Sequence, residues 1–176
     1  FGRDQQLFDS SFGWRFINPK MKDLYGVDSM GDTAENVAEK YKISKADQDK
    51  FALWSQQKAS KAQNEGRLAK EIAAISIPQR KGDPIIFSND EFIKPKTSLE
   101  GLQGLKPSFK KDGSVTAGNA SGLNDGAAAL LLASEQGIRA NNLKPLARLV
   151  SSAVVGVEPR IMGIGPIEAA NKALKR

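Results

Sequence analysis

Two apolar runs, Ala127 to Ala133 and Ala147 to Val155, constrain this 176-residue chain more than any other feature. Each has the length of a strand; the first is apolar throughout and the second is broken only by Arg148, Ser151 and Ser152, and both read as strands buried in a sheet. The first comes after a stretch of small residues that reads as a loop or a helix start. Ser134 then caps a helix predicted to run to Ala140, Pro145 opens the second run, and Gly165-Pro166 starts a terminal helix with proline at or near its first position. Buried strand alternating with helix, with few charges, is the order of a layered α/β core whose remaining strands lie elsewhere. Both ends read as cut. Phe1 opens without an initiator Met or a basic-then-apolar leader, and Ile167 to Arg176 is a helical pattern with no Gly or Pro to stop it, so a piece of a larger protein is expected.

Upstream the character changes. Residues 1 to 30 scatter Phe1, Phe8, Phe12, Trp14 and Phe16 among turn formers without a sustained period, an irregular arm with a short helix near Pro19 to Tyr25. Loop aromatics must bury somewhere, on this domain or against another subunit. A helix is predicted over Thr33 to Tyr41, with Asp32 or Thr33 near its N-cap. Ser44 caps the next, with Asp47 at its third position in a variant of the capping box; Phe51, Trp54, Ser55, Lys58 and Ala62 fall on one side, and Gly66 stops it. Ile72 to Ile77 and Ile85 to Phe87 read as short strands joined by a turn, Asp90 to Pro95 as loop or edge strand, and Ser98 to Leu105 as a short capped helix. Residues 1 to about 115 therefore form a charged region of mixed helix and strand, distinct from residues 116 to 176.

Composition narrows the chemistry. The chain holds no Cys and no His, which excludes a thiol nucleophile, an imidazole base and thiolate or imidazole metal ligation within it. No run is long enough to span a bilayer, and with no leader visible the cytoplasm is the expected compartment. A net charge of +6 would suit a phosphate-bearing partner, yet the basic residues are dispersed and no nucleic-acid motif interleaves them with aromatics. A basic module for nucleic acid or an acidic partner is the alternative function class. The pairs Glu35/Glu39, Asp47/Asp49 and Asp90/Glu91 sit among polar neighbours and read as solvated faces rather than acid–base pairs. The small-residue loop Ala117-Gly118-Asn119-Ala120-Ser121-Gly122 would let a ligand approach the backbone closely, though on physics alone tight backbone packing is the better reading of it. It is neither a Walker loop nor a hydrolase elbow, since Asn119 and Leu123 stand where the elbow needs glycine, and Gly163-Ile164-Gly165 lacks a dinucleotide loop's third glycine because position 168 is Glu168.

Several longer motifs occur together and in order. They are Tyr25-Gly-Val-Asp-Ser-Met-Gly-Asp-Thr-Ala-Glu-Asn-Val-Ala38, the Ser44 helix with Asp47-Gln-Asp49 and Ser55-Gln-Gln57, Thr116 to Ala129, Leu146-Ala-Arg148, and Val157 to Pro166. Together they resemble the middle of a thiolase, over essentially the whole chain. Phe12 to Pro19, Tyr25 to Asp28 and Pro159 to Pro166 are most similar to the 3-oxoadipyl-CoA thiolases of aromatic-compound degradation.

The resemblance implies an α/β fold: pieces of a layered α/β/α core plus an α+β loop domain acting as a lid. It implies a lid over residues 1–115 that holds CoA and makes oligomer contacts, a return into the N-terminal core half over 116–144, and the start of the C-terminal half over 145–176. It implies an acyltransferase that cleaves a 3-oxoacyl-CoA with CoA, CoA being substrate and no separate cofactor or metal being needed. The family's cysteine nucleophile, activating histidine and second cysteine have no counterpart here, so no catalytic residue is assigned and the chain alone is expected to be inactive. Carried over position by position, Met30 would touch the pantetheine, Ala117 and Ala120 would let it lie against the backbone, and Ser121 would hydrogen-bond it. Phe109 would pack near the adenine or pantetheine, and Lys94 stands where relatives carry an arginine facing the adenine nucleotide. Ser29 stands where many relatives have a histidine. The aromatic arm over residues 1–20 matches a subunit-contact loop, implying a homo-oligomer, dimer or tetramer, with no nucleic-acid or membrane partner.

Overall fold

In the computed structural model, which describes residues 2–4, 7 and 14–176, the chain runs through six α-helices, one two-stranded ribbon and two 3₁₀ segments. The expectations for Phe1, Phe8 and Phe12 lie outside the described residues. Helix α1 (Pro19–Tyr25) forms where it was expected: the Asn18 side chain accepts from the Lys20 and Met21 amides, proline fills the first turn, and Gly26 ends the helix at φ 73°.

Helix α2 (Met30–Tyr41) begins three residues before the expected start. Ser29, rather than Asp32 or Thr33, is its cap, and Asp32 is the returning half of a capping box: the Asp32 amide donates to Ser29 Oγ, and the Ser29 amide donates to Asp32 Oδ2 at 3.0 Å. Helix α3 (Lys45–Asn64) starts at Ser44, whose hydroxyl accepts from the Asp47 amide at 3.1 Å, and the chain turns away at Gly66 with φ 71°. Its Phe51–Trp54 side is open, the two aromatics being 66% and 54% exposed. The inward face is instead the three-four series Asp49, Ala52, Leu53, Gln56, Ala59 and Ser60.

Beyond a 3₁₀ turn (Leu68–Lys70), β1 (Ile75–Ile77) and β2 (Ile85–Phe87) pair antiparallel with Ser76 opposite Ile86. Helix α4 (Leu99–Gln103), capped by Ser98, packs on α3. A single bridge from Pro107 to Thr116 closes the next loop, with the Ser108 amide donating to the Val115 carbonyl at 2.9 Å. Helix α5 (Glu135–Ala140) is capped by Ser134 as expected, and a 3₁₀ segment (Pro159–Ile164) packs on α2 and leads into α6 (Gly165–Leu174).

The two apolar runs do not form strands. Neither has a ladder partner among the described residues, and Leu130, at 93% exposed, is as open as a residue in an extended chain. Strand identity needs a neighbour to receive its N–H and C=O groups, and the ribbon β1–β2 is the only sheet among the described residues. The second run keeps a strand's alternation: Ser151, Ala153, Val155 and Val157 are half-buried and the residues between them exposed. α6 and the terminal residue beyond it support the run, with Ser151 Oγ donating to the Ala173 carbonyl at 2.8 Å and Arg176 to the Ser152 carbonyl at 2.6 Å. The buried apolar core is small, Ala38, Leu102, Val115 and Ile161, and it is joined by four buried polar residues, Thr33, Glu35, Asp49 and Thr116.

Candidate functional site

Two buried carboxylates build this site, one from each long helix. Glu35 on α2 is 4% exposed and accepts from the Ser114 amide at 2.9 Å, the Val115 amide at 2.7 Å and the Ser114 hydroxyl at 3.1 Å. Gly113 lies so close to this carboxylate that a Cβ there would overlap it. Asp49 on α3 is fully buried; it takes a 2.7 Å ion pair from Lys45 and a 3.0 Å hydrogen bond from Asn119 Nδ2. Lys45 also donates to the Leu102 carbonyl at 3.0 Å, tying α4 into the same network. Asn119 completes a closed turn: its amide group donates to the Ser114 carbonyl, its side-chain oxygen accepts from the Thr116 amide at 2.8 Å, and Thr116 Oγ1 accepts from the Gly118 and Asn119 amides. Such a network, with every member partnered, fixes one backbone conformation for residues 114–120.

This conformation displays the small residues. Ala117 and Ser121 are exposed and Ala120 half-buried, while the backbone at Gly118 faces inward, where a Cβ would meet Leu102 and Leu105. The other expected residues fall into two groups on either side of the loop. Met30, 70% exposed, opens α2, and the Phe109 ring lies directly on its neighbour Gly31, where any Cβ would overlap the ring. On the other side Lys94 is exposed with Nζ 5.1 Å from the centre of the Phe92 ring, and that ring abuts Gly122. The Lys94 amide is held by Gln56 Oε1 at 2.8 Å and its carbonyl by the Thr97 hydroxyl at 2.7 Å, so the backbone carrying the ammonium is fixed by α3.

From sequence, Glu35/Glu39 and Asp47/Asp49 read as solvated pairs, which holds for Glu39 and Asp47 only. In each pair one member turns inward, Glu35 to the Ser114 and Val115 amides and Asp49 to the Lys45 and Asn119 side chains. Helical phase carried the missing signal: Glu35 lies one turn from buried Gly31 and Ala38, and Asp49 heads the small-residue face of α3. Glu39 pairs across the surface with Lys110 at 2.6 Å, which holds its carboxyl below the ordinary range. Among the described residues no group of acidic side chains converges as metal ligands, and no helix is long and apolar enough to cross a membrane.

The model of the thiolase N-terminal domain matches residues 8–136, well over half of the chain. The chain belongs to the thiolase family. It is 54% identical over all 176 residues to the beta-ketoadipyl-CoA thiolase of Acinetobacter baylyi and spans 44% of that protein's length. It is 53% identical to the 3-oxoadipyl-CoA/3-oxo-5,6-dehydrosuberyl-CoA thiolase of Escherichia coli, again covering 44% of it. Among solved structures, the acetyl-CoA acetyltransferase of Bacillus anthracis superposes with a TM-score of 0.84 at 42% identity, covering 99% of this chain and 43% of that one. Human mitochondrial 3-ketoacyl-CoA thiolase in complex with CoA gives 0.77 at 48% identity over 84% of this chain and 36% of that one. The α/β thiolase fold expected from sequence is thereby established, and the open apolar runs belong to a fold of which this chain spans less than half.

Proposed function

We propose that this chain is the lid-bearing part of an acyl-CoA thiolase that cleaves 3-oxoadipyl-CoA with CoA to acetyl-CoA and a shortened acyl-CoA. Residues 1–115 act as the lid, 116–144 return into the first α/β half and 145–176 open the second. The observation that carries this reading is the clamped loop: two buried carboxylates hold residues 114–120 so that Ala117 and Ser121 face outward. Small side chains on a rigid turn admit a narrow chain such as pantetheine to backbone contact. Ser121 supplies a hydroxyl to its amides, Met30 and Phe109 give apolar contact, and the Lys94 ammonium faces the nucleotide phosphates. The named activities of the most similar relatives favour the dicarboxylic acyl-CoA.

With no Cys and no His, the chain supplies neither the thiolate that would take the acyl group nor its base. Its residues bind and orient the CoA thioester, and a homo-oligomer in the cytoplasm is the expected working form. Calorimetric titration with CoA and with pantetheine tests the reading. Lys94→Ala should weaken CoA by about three- to tenfold and leave pantetheine unchanged, because only CoA carries phosphate. Ser121→Ala should weaken both. No CoA binding, or equal binding by all three proteins, would reject it. Turnover is to be sought with the product of the complete reading frame containing this sequence, and 3-oxoadipyl-CoA should be cleaved in preference to an uncharged 3-oxoacyl-CoA.

A further inference from the structure

The motif from Val157 to Pro166 carries none of the residues assigned above to CoA, yet it reaches the turn that presents Met30. Arg160 Nε donates to Asp28 Oδ2 at 2.9 Å, across 132 residues of sequence. Asn36 Nδ2, in the second turn of α2, donates to the same Asp28 oxygen at 2.7 Å and to the Arg160 carbonyl at 3.0 Å. The three residues form a closed triangle of side chain, side chain and backbone. Asp28 is mostly shielded, its side chain 21% exposed, whereas Arg160 is 56% exposed. Ser29 comes directly after Asp28 and is locked by Asp32, and Met30 comes next with its carbonyl accepting from the Thr33 hydroxyl at 2.8 Å. Ile161, next to Arg160, is buried where this segment packs on α2, and a Cβ at Gly163 would be in contact with Val37 at 3.8 Å.

We infer that Asp28, Asn36 and Arg160 are positioning residues that set the angle of the Met30 turn toward CoA from the 157–166 segment. The inference rests on the reading of Met30 as a pantetheine contact. The triangle joins the turn before Met30 to a segment that also packs on α2 through Ile161, so removing one corner loosens Asp28 and the Ser29 cap that follows it while the rest of α2 stays helical. The guanidinium matters for its fixed geometry as well as its charge: Nε meets Asp28 from within a planar group, whereas lysine keeps the backbone carbonyl for Asn36 and the charge but carries that charge at the tip of a flexible stem.

A double-mutant cycle on the chain separates positioning from mere structural support. Arg160→Ala and Arg160→Lys are each combined with Met30→Ala, and CoA affinity is read by calorimetry. The expected result is a loss of about three- to tenfold for Arg160→Ala, with Arg160→Lys no better than partial rescue, and no further loss once Met30 is alanine. An equal loss in both backgrounds, or no loss in either, overturns the inference. Hydrogen exchange at the Asp32 and Thr33 amides is the second readout: Arg160→Ala should speed it severalfold while the amides of α3 stay unchanged. If the unsubstituted chain fails to bind CoA, the functional reading falls, and the exchange at Asp32 and Thr33 alone decides whether Arg160 holds the turn.

Discussion

Residues 19–122 and 123–157 contrast sharply in how their backbone groups are met. In the first, buried carboxylates, caps and a ribbon give the chain its partners within itself, and the most buried side chains are Thr116 and Asp49 rather than hydrophobes. In the second, apart from the short helix α5 and the half-buried alternate residues of 151–157, the chain is open, with Leu130, Leu131 and Leu132 facing solvent. A turn fixed by hydrogen bonds is complete once its few partners are present, whereas an apolar strand is complete only when a sheet flanks it on both edges. Apolar content is therefore a poor guide to which part of this chain is ordered by its own contacts.

The largest effect should come from removing a clamp. Glu35→Ala leaves the Ser114 and Val115 amides buried without an acceptor and should destabilise residues 19–122 by about 3 kcal/mol in urea unfolding. A cost under about 1 kcal/mol would break the contrast, because the loop would then be held by packing. Gly31→Ala should cost roughly 1–2 kcal/mol by driving Phe109 off α2, with a loss of CoA affinity read by calorimetric titration. Ser134→Ala removes the cap of α5, whose hydroxyl accepts from the Gly137 amide at 3.1 Å, and should cost about 1 kcal/mol by circular dichroism on heating. Leu130→Ser should change stability by less than about 0.5 kcal/mol and reduce self-association in light scattering, the reverse of what a core leucine would do.

The smallest effect is the acid limb at Asp28. Its hydrogen bond from Arg160, with that of Asn36 and the arginine charge, outweighs partial desolvation and lowers its pKa below the ordinary 3.8. A carboxylate depressed in the folded state contributes stability that is present above the ordinary value and is lost as pH falls through the lowered one. The midpoint of thermal unfolding should therefore fall below about pH 4 more steeply in the unsubstituted chain than in Asp28→Asn. Parallel curves would mean that the pair contributes nothing to folding.

Local chemistry was legible. Ser44, Ser98 and Ser134 stand where caps must stand, Gly66 ends α3, and the β-branched runs around Lys81-Gly82 pair as a ribbon, because each depends on hydrogen bonds or torsions within a few residues. Ser29 is hard to recognise as a cap because Asp32 offers an equally good one three residues on, and only the returning hydrogen bond distinguishes them. The collinear motifs likewise carried the family, since order and spacing are properties of the sequence itself.

Which carboxylates are buried was settled by tertiary structure. Glu35 and Glu39 share a helix, but one meets the Ser114 and Val115 amides and the other meets Lys110 at the surface, and those partners come from more than 70 residues away. The triangle of Asp28, Asn36 and Arg160 is hidden in sequence for the same reason. The amino-acid sequence alone determined the caps at Ser44, Ser98 and Ser134, the ribbon and the family, through interactions spanning one turn or one motif. Only the tertiary structure decided which polar groups lie inside and which apolar ones stay in water, because burial depends on what distant parts of a chain bring to the same place.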